Sequence, residues 1–124
     1  IIECADDVDY AAQLRAAVEE ALEDRCLAAI IAPDARRMAK LEDMLGGLPI
    51  VIPARKEAIP DHGVVLLDIA LAKGLEFDQV IVPDVQQRSY PDETLARHRL
   101  YTAISRATRK VTLIANGKLT KLLG

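Results

Sequence analysis

Leu27-Ala28-Ala29-Ile30-Ile31-Ala32-Pro33-Asp34 is the stretch that decides the fold. Six apolar residues in a row read as a strand covered on both faces, because a strand with one wet face would alternate. Pro33 stops it, and Asp34 suits the N-cap of the helix that follows. Met38, Leu41 and Leu45 line that helix, and Gly46 and Gly47 end it. Upstream, the apolar stretch Ile1–Cys4 leads into Asp6 and Asp7, after which Val8, Ala11, Ala12, Leu14, Val18, Ala21 and Leu22 recur at helical spacing. Asp6, Asp7 and Asp9 read as a helix start rather than a metal site.

Working downstream, Ile50–Ile52 reads as a strand and Pro53–Gly63 as a polar connection. Val64–Leu67 and Gln79–Val82 are further buried strands, the second closed by Pro83 and Asp84. Val85–Asp92 is a polar loop, and Glu93–Ala107 a helix with Leu100, Ala103, Ile104 and Ala107 inward. Lys110–Ala115 is a last strand and Gly117–Leu123 a short terminal helix. Continuous apolar strands alternating with amphipathic helices imply an α/β fold, a mostly parallel sheet with helices on both faces. The 124 residues make one domain, 1–124. Opening on Ile1 rather than methionine, it is expected to be part of a longer polypeptide.

Composition narrows the function. Hydrophobic residues make up 51%, which excludes a disordered tail. Aromatic residues are only 3%, with no Trp, so a surface that stacks bases on aromatic rings is not expected. Net charge is −3, yet the two halves differ. Residues 1–62 carry 7 basic and 13 acidic groups, whereas residues 63–124 carry 9 and 6. Anion chemistry therefore belongs in the second half. Cys4 and Cys26 form no metal-type pair and read as small buried hydrophobes, which fits a reducing cytoplasm. The longest apolar run, Cys26–Ala32, is too short to span a bilayer, and no membrane partner is expected.

Ligands of open parallel sheets bind beyond the carboxyl ends of strands, which directs attention to Asp68–Gly74, Asp84–Asp92 and the turn after Ala115. In Ala72-Lys73-Gly74-Leu75-Glu76-Phe77-Asp78, Gly74 permits unusual backbone angles and Glu76 can accept from sugar hydroxyls. By residue type alone the segment is either a phosphate–ribose site or a glycine turn with exposed charges. Arg99, Thr102 and Arg106 share one face of the following helix. A guanidinium on that face is either a ligand for phosphate, or Arg106, with Arg109 and Lys110, simply favours the dipole of a helix C-terminus. Asp84 reads as a loop-initiating aspartate after Pro83 rather than a magnesium carboxylate, since no phosphate-binding loop is present. His62 and His98 are isolated surface residues.

Taken together, Lys73-Gly74-Leu75-Glu76-Phe77 and Arg99-Leu100-Tyr101-Thr102-Ala103-Ile104-Ser105-Arg106-Ala107 resemble motifs V and VI of the UvrD/Rep/PcrA-type superfamily 1 helicases, in the right order. Tyr90-Pro91 falls where that family often has an aromatic–proline pair. The resemblance covers residues 64–115 closely and residues 3–52 in pattern only. Pro53–Gly63 is too short for the large inserted subdomain of the best-known members.

The resemblance implies a second RecA-like motor domain, sharing an ATP site with an N-terminal RecA-like domain that carries the phosphate-binding loop and the Mg²⁺ ligands. It implies Arg106 as arginine finger, Glu76 on the ribose and Gly74 beside the triphosphate. Single-stranded DNA would be the parent's partner, with Asp68, Ala70 and Lys73 at the family's strand-contact segment. The family's motif V usually begins Thr-x-His, where this chain has Asp68 and Ala70. That departure resembles the HelD-type ATPases that act on RNA polymerase. A non-catalytic α/β interaction module is the third alternative.

Overall fold

The computed structural model describes residues 1–123. Its strands are β1 (Ile2–Cys4), β2 (Leu27–Ala32), β3 (Ile50–Val51), β4 (Gly63–Asp68), β5 (Phe77–Pro83) and β6 (Ala107–Asn116). The helices are α1 (Asp7–Glu23), α2 (Ala35–Met44), α3 (Ile69–Ala72) and α4 (Thr94–Ile104), with 3-10 turns at Lys56–Ala58 and Lys121–Leu123. All strands pair in parallel, in the order β1-β6-β5-β2-β4-β3. The opening stretch becomes the central strand β2, buried between β4 and β5 from Ala28 to Ala32. The sequence expectation of an α/β fold covered on both faces holds.

Two apolar layers follow from the side-chain alternation of the strands. Leu14, Val18, Leu41, Ile30, Leu66 and Ile114 pack with α1 and α2 on one face. Ile31, Val65, Val82, Tyr90, Leu100 and Leu113 pack with α3 and α4 on the other. Asp6 and Asp34 cap α1 and α2, accepting hydrogen bonds from Asp9 N–H and Arg37 N–H at 2.8 Å. Cys4 and Cys26 are buried as free thiols, their ionisation pushed up first by burial.

Several boundaries depart from the sequence reading. Val8 points to solvent, 80% exposed, and Tyr10 takes the inward position at 1%. One turn of helix, α3, occupies the expected loop Asp68–Gly74 and is capped by Asp68, which accepts from Leu71 N–H at 2.9 Å. The expected helix Glu93–Ala107 ends at Ile104, because Phe77 N–H captures the Arg106 carbonyl at 2.8 Å and draws Ala107 into the sheet. β5 and β6 consequently begin earlier than expected, with an irregularity between Phe77 and Gln79 where β6 carries an extra residue. The expected terminal helix Gly117–Leu123 survives only as a 3-10 turn. Thr120 N–H instead donates to the Val85 carbonyl, and Leu119 bridges Gln86.

Candidate functional site

The β5–β6 ladder assembles the site. Phe77 pairs with Ala107, so their neighbours Glu76 and Arg106 sit side by side at the amino ends of adjacent strands. Gly74 lies two residues upstream in a turn closed by Leu75 N–H donating to the Ala72 carbonyl at 3.1 Å. Its φ of +79° is in the left-handed region that strongly favours glycine. Glu76 is exposed. Arg106 is half-buried: one terminal nitrogen reaches Ser105 Oγ at 3.2 Å, while its buried Nε has no hydrogen-bond partner. A buried donor without an acceptor is costly and rare in folded proteins. The ladder thus places Glu76 and Arg106 at the same end of β5 and β6, with the Gly74 turn leading into β5.

The candidate residues are divided between the two ends of the sheet. Glu76 and Arg106 precede β5 and β6, whereas Asp68 ends β4 at the opposite edge. The face Arg99–Thr102–Arg106 is likewise divided. Arg99 and Thr102 line a cavity of about 830 Å³ between α3 and α4, together with Asp68, Ala70, Lys73 and His98, but Arg106 is not in its wall. Asp68, Ala70 and Lys73 therefore do share one concavity. His62 and His98 are exposed, as read, though His98 faces this cavity.

Asp84 is the residue whose surroundings the sequence reading missed. It does open the loop after Pro83, but it is wholly buried, with a φ of +62°. Arg37 holds it through Nε at 2.8 Å and a terminal nitrogen at 2.9 Å, and the Tyr10 hydroxyl donates to it at 2.7 Å. Burial, and then the Asp84 carboxylate, push the Tyr10 ionisation far up. Burial lowers the Arg37 value, but its bonds to Asp84 outweigh that and raise it. The Tyr90 hydroxyl is buried nearby without a partner, and its ionisation is pushed up first by burial, then by Asp84. The only local signal was a carboxylate following the apolar run Val80–Pro83. Its partners lie 47 and 74 residues away, beyond any motif. Among the described residues, no three His, Cys, Asp or Glu side chains are grouped to hold a metal ion. No helix there is long and apolar enough to cross a membrane.

Comparison with known proteins agrees with the motif reading. Residues 63–114 match the family model of the UvrD-like helicase C-terminal domain. A similar solved structure is the C-terminal domain of a possible DNA helicase from Lactobacillus plantarum WCFS1, 29% identical, with a TM-score of 0.88 over 99% of this chain and 76% of that one. Xpd4 from S. tokodaii shares the fold alone, at 13% identity and a TM-score of 0.52 over 94% of this chain and 33% of its own. No curated protein is significantly similar. The chain resembles UvrD-like helicase C-terminal domains in sequence over residues 63–114 and in fold over nearly its whole length.

Proposed function

We propose that this chain, similar to the UvrD-like helicase C-terminal domains, is the second motor domain of an ATP-dependent superfamily 1 helicase or translocase and contributes half of a nucleotide site. The observation that carries the reading is the ladder bond from Phe77 N–H to the Arg106 carbonyl, which sets Glu76 beside Arg106. The orphaned Arg106 Nε and the left-handed Gly74 turn suit an anionic ligand, so the residues present fit a nucleoside triphosphate. Glu76 would accept from the ribose hydroxyls, Gly74 would let the backbone approach the phosphates, and Arg106 would meet the terminal phosphate. The bound nucleotide supplies the phosphoanhydride chemistry. This chain's part is positioning and charge stabilisation, where an arginine of this kind contributes roughly 10³–10⁵ in rate. The phosphate-binding loop, the Mg²⁺ ligands and the water-positioning groups belong to an N-terminal RecA-like partner domain.

Two assays test the half-site. The 124-residue chain alone should show no ATP turnover. In the intact parent, Arg106→Ala should abolish hydrolysis while nucleotide binding stays measurable; turnover within a few-fold of the parent's would remove Arg106 from the finger role. Whether the parent grips single-stranded DNA turns on the cavity. Asp68 brings a carboxylate to its wall and Ala70 only a methyl group. That pairing favours, as a second reading, a HelD-type motor that remodels RNA polymerase. Co-purification of polymerase supports that reading, whereas stimulation of the parent ATPase by single-stranded DNA argues against it.

A further inference from the structure

We propose that Lys56 is a positioning residue of the triphosphate half-site, acting by fixing the direction in which the Lys73–Gly74 peptide faces. The inference rests on the nucleotide reading of Gly74, Glu76 and Arg106 and adds a residue from an element that neither motif contains. Lys73 has φ −56° and ψ 130°, and Gly74 has φ +79°. With the bond from Leu75 N–H to the Ala72 carbonyl, these angles define a type II turn. Type I and type II turns differ mainly by a flip of the central peptide, here Lys73–Gly74. In a trans peptide the carbonyl and the N–H point in opposite directions. Whatever holds the Lys73 carbonyl therefore decides where the Gly74 N–H is presented.

Lys56 holds it. Its Nζ donates to the Lys73 carbonyl at 2.9 Å. The same ammonium lies 3.8 Å from where a Cβ on Gly74 would stand, so it flanks the turn without crowding it. Lys56 reaches this place from the 3-10 turn Lys56–Ala58, which is braced by Ile59 N–H on the Lys56 carbonyl at 3.2 Å. The Pro53–Gly63 connection, read from sequence as a link only, thus brings a cation to the back of the turn and leaves the Gly74 N–H facing the other way. A phosphate oxygen is the acceptor that suits that N–H, with the orphaned Arg106 Nε as the second donor of the same half-site.

The test uses the isotope-labelled chain and its Lys56→Met and Lys56→Arg variants. Without ligand, Lys56→Met should shift the Lys73 carbonyl and Gly74 amide resonances, while Lys56→Arg, which keeps a donor, leaves them near their original positions. Inorganic tripolyphosphate should move the Gly74 amide and Arg106 Nε resonances of the unmodified chain. Lys56→Met should weaken that binding about threefold to fivefold, the scale of one solvent-exposed charged contact, and Lys56→Arg should keep it within about twofold. Unchanged ligand-free resonances in Lys56→Met, or unchanged tripolyphosphate affinity, would overturn the proposal. If Lys56→Met flips the peptide yet tripolyphosphate moves neither resonance in any chain, the turn control stands and the triphosphate reading falls, taking the proposed role with it.

Discussion

Tyr10 and Tyr90 face the same buried carboxylate with opposite consequences. The Tyr10 hydroxyl donates to Asp84, whereas the Tyr90 hydroxyl is buried with no partner. Removing a satisfied buried donor costs stability, and removing an unsatisfied one relieves a desolvation penalty. Tyr10→Phe should therefore destabilise the chain by about 1–2 kcal/mol, and Tyr90→Phe should leave stability unchanged or raise it by up to about 1 kcal/mol. Urea unfolding of the two variants checks the contrast; equal losses would mean that the Tyr90 hydroxyl is satisfied in solution. Leu14, Val18 and Ala21 of α1 are buried as their spacing indicates, whereas at its start Tyr10 and not Val8 faces inward. Apolarity favours valine, but tyrosine has both an apolar ring for the core and a hydroxyl for Asp84, a partner that no local pattern reveals.

At the level of elements, what was legible was local. The uninterrupted apolar strands β2 and β4 and the capping aspartates of α1 and α2 each declare themselves within a few residues, and all appear where the sequence indicates. The single turn α3 is too short to show a period, and the early start of β6 is set by Phe77, thirty residues away. The candidate site was legible as residue types at motif spacing, but not as a place. Glu76 and Arg106 become neighbours only through strand pairing, which no local pattern shows. The Arg37–Asp84 pair joins α2 to the end of β5, with Asp84 fully buried and Arg37 partly so. Arg37→Met leaves a buried carboxylate with its cation gone and should cost about 3–5 kcal/mol. Thermal or denaturant unfolding measures it, and a loss below about 1 kcal/mol would reduce the pair to a surface-type contact.

For the whole molecule, pH dependence follows from the tyrosines. Both have folded-state ionisation raised above the ordinary value of 10.0. Their contribution to stability is complete below that value and is lost as pH rises above it, because the unfolded chain then releases protons that the folded chain keeps. Stability should fall with alkaline pH above about 10. Tyr10→Phe,Tyr90→Phe should flatten the fall, as urea midpoints measured across that range would show; an identical slope would assign it to other groups.

The bond from Phe77 N–H to the Arg106 carbonyl also has a mechanical meaning. It welds the residue before β6 to the first residue of β5, and through β5 to the buried strand β2. On the proposed reading, the guanidinium and the carboxylate aimed at one nucleotide share a single rigid frame. Force applied at Arg106 is delivered to the central sheet instead of being spent bending a loop. On the same reading, capture of the ligand would move this domain as one body.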